Sequence, residues 1–124
     1  MTPTQPARTT HFFTVDVEEY FQVSAFDDVI ARSEWDRLPS RVEHNVELLL
    51  DMLAKHGVTG TFFTLGWIAN RHARVVRSIA AAGHEVASHG YWHRRVSSQT
   101  PDEFRADVRA AKDALEQACG MPVT

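Results

Sequence analysis

Two histidines, His89 and His93, stand four residues apart directly after a short apolar run. If the backbone turned helically between them, the two imidazoles would lie on one face and reach the same point. Neutral imidazole is a common ligand of transition metals. An acidic cluster, Asp16–Glu19, ends another apolar run and offers carboxylate oxygens. Two histidines and one carboxylate form the ligand set of hydrolytic metal sites, so the sequence indicates an enzyme that uses a metal.

The composition indicates one folded domain. The chain has 124 residues, 44% of them hydrophobic, and a formal net charge of −3. This balance excludes disordered and fibrous proteins, and the absence of a basic excess argues against a nucleic-acid partner. Cys119 is the one cysteine, which favours a reducing compartment, and no apolar run is long enough for a membrane span.

The first ten residues, 1–10, are rich in Thr, Pro and Gln and contain no apolar segment typical of a secretory signal. We therefore expect a flexible tail over 1–10, a partial catalytic domain over 11–124 and a cytoplasmic protein.

Strands and amphipathic helices alternate along the chain, which predicts an α/β fold with a parallel sheet. The predicted strands are His11–Val15, Val58–Leu65 and His84–Ser88. The predicted helices run from a capping box of Ser40 and Glu43 to Gly57, from Ile68 to Ala82, and from a capping box at Thr100 and Glu103 to Gly120.

Functional residues in such folds lie beyond the carboxyl ends of the strands. Asp16 follows the first predicted strand and His89 follows the third, so both fall at the same edge of the sheet. A fourth strand is expected to begin at Met121–Thr124. Because a closed barrel of this type takes about 250 residues, we expect the chain to be a truncated barrel.

The residues at these positions resemble those of the NodB-type polysaccharide deacetylases, which are metal-dependent carbohydrate esterases. The resemblance covers residues 12–124 and rests on four segments: Thr14–Glu18, Gly60–Phe63, Gly83–Ser88 and His89–His93. The run Asp16–Phe21 is most similar to the branch associated with bacterial exopolysaccharide loci. The resemblance implies the N-terminal three βα units of a distorted (β/α) barrel.

The resemblance also implies roles for individual residues. Asp16 matches the catalytic base, which takes a proton from a metal-activated water during hydrolysis of an acetyl group. His89 and His93 match the two metal histidines, and Gly90 stands where the family usually has Ser or Thr. A base-orienting Arg and a general-acid His are expected further along the family sequence, beyond Thr124.

The carboxylate ligand is less directly defined, because Val17 replaces the second of two adjacent aspartates found in commoner members. On an extended backbone Asp16 and Glu18 would share one face, whereas Glu19 would point away. We therefore favour Glu18 as the metal ligand and expect Glu19 either behind the ligands or in solvent.

The expected cofactor is a divalent metal, Zn²⁺ first, with Co²⁺, Ni²⁺ or Mn²⁺ also compatible with mixed nitrogen and oxygen ligands. The expected partner is an acetylated polysaccharide or oligosaccharide. Tyr20, Tyr91 and Trp92 are candidates for stacking on sugar rings, with Phe21 and Trp35 as further candidates. Two alternatives remain open: a non-catalytic fragment that binds metal or glycan, and a metal-dependent amidohydrolase acting on small amides.

Overall fold

The computed structural model describes residues 8–124, which form a three-stranded sheet and four α-helices. The strands are β1 (Thr14–Val17), β2 (Thr61–Thr64) and β3 (Glu85–Ser88). The α-helices are α1 (Val42–His56), α2 (Gly66–Arg71), α3 (Ala73–Ala81) and α4 (Pro101–Cys119). Short 3₁₀ helices cover Ser24–Phe26, Arg32–Arg37 and Val96–Ser98. Of the predicted tail over 1–10, residues 1–7 lie outside the described part.

The sheet confirms the predicted α/β class. All three strands are parallel, in the order β1-β2-β3. Val17 pairs with Thr64, and Thr64 pairs with Ser88, so the three strands end at the same level. The residues that follow β1 and β3 therefore emerge on either side of β2, at one edge of the sheet.

Each strand is shorter than its sequence pattern predicted. The first strand begins at Thr14 rather than His11 and extends through Asp16 to Val17, because those residues pair with β2. Phe12 is 89% exposed, so the aromatic residues before Thr14 do not contribute to a buried strand. Residues 58–60, after the turn at Gly57, have no regular secondary structure, and the second strand begins only at Thr61.

Helix α1 has the predicted apolar face, with Val42, Val46 and Leu53 buried. It ends at Gly57, whose φ of 63° gives the left-handed C-cap that glycine adopts without strain. The predicted capping box of Ser40 and Glu43 is wrong. The N-cap is Arg41, whose side chain makes no cap hydrogen bond. The carboxylate of Glu19, in the segment after β1, accepts hydrogen bonds from the N–H groups of Arg41 and Val42 at this helix end instead.

The second predicted helix, Ile68–Ala82, is two helices. Helix α2 ends at Arg71, because His72 adopts a non-helical conformation with φ −130° and ψ 50°. The His72 imidazole Nδ1 lies 3.1 Å from the Glu43 carboxylate on α1, so the residue at the break contacts a neighbouring helix. No Gly or Pro marks the break, so the apolar periodicity runs across it.

Helix α4 begins as predicted. The Thr100 hydroxyl accepts from the Glu103 N–H at 3.2 Å, and the Glu103 carboxylate accepts from the Thr100 N–H at 2.7 Å. This capping box, with Pro101 in the first turn, fixes the start of a helix that packs on α2 and α3. Gly120 ends it with φ 71°.

The predicted fourth strand at Met121–Thr124 is not formed in the described structure. Val123 is instead buried, and its N–H donates to the Glu116 carboxylate at 2.9 Å. The pKa of Glu116 is lowered by its contact with Lys112 and by this backbone hydrogen bond. The segment after α4 therefore folds back on that helix.

The long connection between β1 and α1 is part of the core rather than a linker. Phe21 and Trp35 are both 2% exposed, and they meet Trp67 of α2 at ring-centroid distances of 6.2 and 5.6 Å. Burying a side chain such as Phe21 contributes about 1.5–3 kcal/mol. This aromatic cluster anchors the connection against α2. Within residues 8–124, no helix is sufficiently long and apolar to cross a membrane.

Candidate metal centre

The carboxyl edge of the sheet brings two of the predicted chemical groups together. Glu18 directly follows β1 and His89 directly follows β3. The His89 N–H donates to the Thr64 carbonyl at 3.0 Å, which ties the start of the histidine loop to β2. Parallel pairing thus places residues that are 71 positions apart at one point of the fold.

Glu18, His89 and His93 converge on a common point. Glu18 Oε2 lies 2.8 Å from His93 Nε2 and 3.5 Å from His89 Nε2. One ligand atom from each of the three residues falls within 4.8 Å of the others. Their side chains are 18%, 28% and 18% exposed for Glu18, His89 and His93 respectively, so the cluster is sheltered but still reachable from solvent.

Asp16 lies beside this cluster and is more open to solvent. Its Oδ2 is 3.9 Å from His89 Nε2, and its side chain is 59% exposed. Asp16 and Glu18 project on the same side of β1, as the alternation along an extended strand requires.

The cluster shifts the protonation of two of its members. The pKa of Glu18 is lowered, chiefly by its hydrogen bond with the His89 imidazole, although the His93 imidazole is closer. The charges of both histidines lower this pKa further, whereas burial of the carboxylate opposes the shift. The Glu18 carboxylate raises the pKa of His89, again against burial, with further attraction from Asp16. Both shifts have one cause: the imidazole stabilises the negative charge of the carboxylate, and the carboxylate stabilises the positive charge of the protonated imidazole.

The donor atoms fit a divalent cation. Glu18 Oε2 and His89 Nε2 are buried, and within residues 8–124 neither completes a hydrogen bond of normal geometry. His93 faces Glu18 through its Nε2 atom, and its Nδ1 atom is also buried without a hydrogen-bond partner among these residues. Buried polar atoms are usually paired, so unpaired donors and acceptors at a convergent cluster indicate a missing ligand. Two imidazole nitrogens and one carboxylate oxygen form the mixed donor set of zinc and similar ions.

The spacing of the two histidines predicted a helical turn between them, and this prediction is wrong. Residues 89–95 form a loop in which Gly90 has φ 76° and His93 has φ 53°. A left-handed conformation is uncommon for a residue other than glycine and costs about 1–2 kcal/mol. His93 is therefore held in a strained conformation by its surroundings, and such strain is typical of functional sites.

Glu19 lies neither in solvent nor against the metal ligands. Its side chain is 1% exposed, and its carboxylate accepts hydrogen bonds from the Ser40 hydroxyl and from the N–H groups of Arg41, at 3.0 Å, and Val42, at 3.3 Å. It thereby satisfies the free N–H groups at the start of α1 and places a negative charge at the positive helix end. Glu19 fixes the segment that follows β1 to α1.

The candidate sugar-stacking residues differ in exposure. Tyr20 is 46% exposed and Trp92 is 39% exposed, so both present aromatic surface to solvent. Tyr91 packs partly against the core, and its hydroxyl accepts from Asn70 at 2.8 Å. Phe21 and Trp35 are buried in the aromatic cluster, so the suggestion that they line a sugar groove is wrong.

Two residues in contact with the histidine loop carried no sequence signal. Asp107 lies in the middle of α4, within an ordinary helical pattern, and Arg32 lies in the long connection after β1. Both bind backbone groups of residues 91–93. A bond from a side chain to a distant backbone group leaves no periodicity or motif in the sequence, so only the structure identifies them.

Known proteins resemble this chain in sequence and in fold. The sequence pattern of the polysaccharide deacetylase family matches residues 21–124. The chain belongs to the polysaccharide deacetylase family. Its relatives include a chitooligosaccharide deacetylase of Rhizobium leguminosarum bv. trifolii, 34% identical over 76 residues, which are 61% of this chain and 35% of that protein. A peptidoglycan-N-acetylglucosamine deacetylase of Bacillus cereus is 33% identical over 72 residues, 58% of this chain and 26% of its own length.

Solved structures of the family share the fold. A Mycobacterium smegmatis protein assigned to the polysaccharide deacetylases superimposes with a TM-score of 0.74 at 32% identity, over 98% of this chain and 46% of the other. A CE4 family pseudoenzyme from Bacillus anthracis superimposes with a TM-score of 0.69 at 22% identity, over 96% of this chain and 34% of the other. The resemblance to NodB-type deacetylases is thus confirmed, and the chain spans about a third of the length of the curated relatives it matches.

Proposed function

We propose that this chain supplies the metal-binding residues and the proton-accepting carboxylate of an enzyme that hydrolyses acetyl groups on a polysaccharide. The acetyl group is an amide, as in the N-acetylglucosamine named for the Bacillus cereus relative, with esters as a further substrate. The observation that carries the proposal is the convergence of Glu18, His89 and His93 at the carboxyl edge of the sheet. We further propose that the enzyme acts in bacterial exopolysaccharide biosynthesis.

Glu18, His89 and His93 would hold the cation, and the contacts of the cluster support that assignment over one through Glu19, which is committed to α1. Two imidazoles and a carboxylate are typical ligands of Zn²⁺, which is our first candidate. Co²⁺, Ni²⁺ and Mn²⁺ also bind to mixed nitrogen and oxygen ligands and are further candidates. When bound, such an ion polarises a carbonyl oxygen and lowers the pKa of water toward ~7.

The exposure of Asp16 and its position beside the cluster support a role as the general base. Its carboxylate is exposed, so water and substrate reach it, and its 3.9 Å separation from His89 keeps it beside the ligand cluster without joining it. A carboxylate in that position accepts the proton of the water that attacks the acetyl carbonyl. No covalent acyl-enzyme is needed, which agrees with a site built from carboxylates and imidazoles rather than a nucleophilic Ser or Cys.

Two exposed aromatic residues stand next to the metal-site residues in the sequence, and such side chains suit a carbohydrate substrate. Trp92 directly precedes the ligand His93, and Tyr20 lies two residues beyond Glu18. Their exposed rings could stack on sugars next to the acetylated unit. Tyr91 would contribute mainly by shaping the loop, because its ring is partly buried and its hydroxyl is bound by Asn70.

Acetate release tests this function. The protein purified from its own host is loaded with zinc and incubated with acetylated chitooligosaccharide, an acetylated exopolysaccharide and a small acetamide. We expect acetate from a polymeric or oligomeric substrate and a loss of about 10²–10⁴-fold in turnover for Asp16→Asn, with zinc retained. Asp28→Asn, an exposed carboxylate outside the cluster, is the matched control and should leave turnover unchanged.

Two results would contradict the proposal. No acetate from any substrate, with zinc bound, would favour a non-catalytic protein that binds metal or glycan. Turnover of the small acetamide alone would favour an amidohydrolase acting on small molecules.

A further inference from the structure

The loop that carries both histidines is held from two sides by residues that do not reach the metal site. We propose that Asp107 and Arg32 are positioning residues that keep this loop, residues 89–93, in the conformation in which His89 and His93 meet Glu18. The inference rests on the metal centre proposed above and assigns two further residues to it.

Asp107 binds the loop through its backbone N–H groups. Its Oδ2 accepts from the Tyr91 N–H at 2.9 Å, and its Oδ1 accepts from the Trp92 N–H at 3.2 Å. Both oxygens of one carboxylate are therefore used on consecutive residues between the two histidines. Hydrogen bonds to an ionised acceptor are stronger than neutral ones, and Asp107 is carried on α4, whose start is fixed by its capping box.

Arg32 binds the same loop through its carbonyl groups. Its Nε donates to the Trp92 carbonyl at 3.0 Å, and its guanidinium also donates to the His93 carbonyl at 3.5 Å. The guanidinium lies 5.6 Å from the Trp35 ring centroid and forms an ion pair of 3.4 Å with Asp27. The contacts with Trp35 and Asp27 hold the Arg32 guanidinium in the orientation in which it donates to the loop.

The backbone geometry of His93 depends on the two carbonyl groups that Arg32 binds. The φ and ψ angles of a residue are the rotations of the two peptide planes on either side of it. The carbonyl of Trp92 belongs to the plane before His93, and the carbonyl of His93 belongs to the plane after it. Since Arg32 binds both carbonyls, one side chain sets both rotations of a residue that sits at φ 53°.

Gly90 leaves room for this arrangement. A Cβ atom at residue 90 would lie 2.9 Å from Asp107 Oδ2, and the φ of 76° would strain any other L residue. A side chain at residue 90 and the Asp107 carboxylate would therefore compete for the same space. In this chain the loop is held by Asp107 of α4 and by Arg32 rather than by a side chain at residue 90.

Metal affinity separates a positioning role from a purely structural one. The variants are Asp107→Asn, Arg32→Gln and Arg32→Lys, with Asp113→Asn on the same helix and Arg37→Gln in the same 3₁₀ segment as exposed controls. Zn²⁺ affinity is measured by calorimetry, the visible spectrum of the Co²⁺-loaded protein reports ligand geometry, and urea unfolding of the metal-free protein reports the fold.

We expect Asp107→Asn and Arg32→Gln to weaken Zn²⁺ binding about 10–100-fold, the range for groups that orient metal ligands. The Co²⁺ spectrum should change, and the stability of the metal-free protein should fall by much less than the Zn²⁺ affinity, because the bonds from Asp107 and Arg32 to the loop are only partly buried or exposed. Arg32→Lys keeps the charge but not the fork that reaches two carbonyls, so its affinity should fall between Arg32→Gln and the control. The two losses should be less than additive in the double variant, because both act on one loop.

Affinities within about twofold of the controls, with an unchanged Co²⁺ spectrum, would overturn the inference. So would a loss of metal matched by an equal loss of metal-free stability in both Asp107→Asn and Arg32→Lys, because the residues would then maintain the fold. A different result, in which the unaltered protein binds neither Zn²⁺ nor Co²⁺, would contradict the metal centre itself.

Discussion

Replacement of Glu19 by glutamine should destabilise the protein far more than replacement of any exposed glutamate. Glu19 is 1% exposed, and its carboxylate accepts from the Ser40 hydroxyl and from the N–H groups of Arg41 and Val42. Its own N–H donates to the Gln22 side chain at 2.7 Å, which holds the turn in which it sits. Glutamine has the same shape but only one accepting oxygen, so its amide N–H₂ would face groups that also donate.

The magnitude follows from these contacts. A hydrogen bond to a charged group contributes about 1.5–3 kcal/mol, and a buried donor that loses its partner costs a similar amount. Because Glu19→Gln keeps one acceptor and loses the other, we expect the free energy of unfolding to fall by about 2–3 kcal/mol. That is a large share of the 5–15 kcal/mol typical of a folded domain.

Urea unfolding followed by circular dichroism measures this loss. Glu47→Gln is the matched control, because Glu47 lies on α1 and forms an exposed ion pair with Arg74 of α3. Such exposed pairs contribute about 0–1 kcal/mol. Glu43→Gln should also have a small effect, since Glu43 contacts His72 and does not cap α1. A loss below about 0.5 kcal/mol for Glu19→Gln, or an equal loss for Glu43→Gln, would refute the assignment of Glu19 as the cap.

Two further predictions concern the elements around the histidine loop and the end of the chain. Gly66→Ala should lower the free energy of unfolding by about 1–3 kcal/mol, because the new Cβ would lie 2.5 Å from Tyr91 Cδ2 and 2.8 Å from Ala111 Cα. Urea unfolding measures this loss, and a variant as stable as the unaltered protein would contradict the close packing. The lowered pKa of Glu116 means that its contact with the Val123 N–H is present above the ordinary glutamate pKa and is lost as the pH falls through the lowered value. The Val123 amide resonance should therefore move at a pH below that at which an exposed glutamate titrates, and a shift at the ordinary value would count against the contact.

The sequence was sufficient to predict the α/β class, the order of the units and the capping box of α4. These features depend on local signals: alternation and β-branched residues for strands, apolar spacing for helices, and Thr100, Glu103 and Gly120 at the ends of α4. The sequence also predicts that Asp16, Glu18 and His89 lie at one edge of the sheet, because parallel strands end on the same side.

The errors came from interactions between distant residues. The start of α1 is capped by Glu19, which lies more than twenty residues earlier, so the local Ser40 and Glu43 pattern was misleading. The break at His72 has no glycine or proline to mark it. His93 meets Glu18 through a left-handed loop residue rather than a helical turn, and the spacing of the histidines alone does not distinguish these two routes.

Zinc content measured after equilibrium dialysis tests the proposed metal centre most directly. We predict about one Zn²⁺ per chain for the unaltered protein and near-complete loss in Glu18→Gln, His89→Ala and His93→Ala. His44→Ala removes an exposed histidine on α1 and should leave the zinc content unchanged. Equal zinc content in the unaltered protein and in both His89→Ala and His93→Ala would contradict the assignment of this cluster as the metal centre.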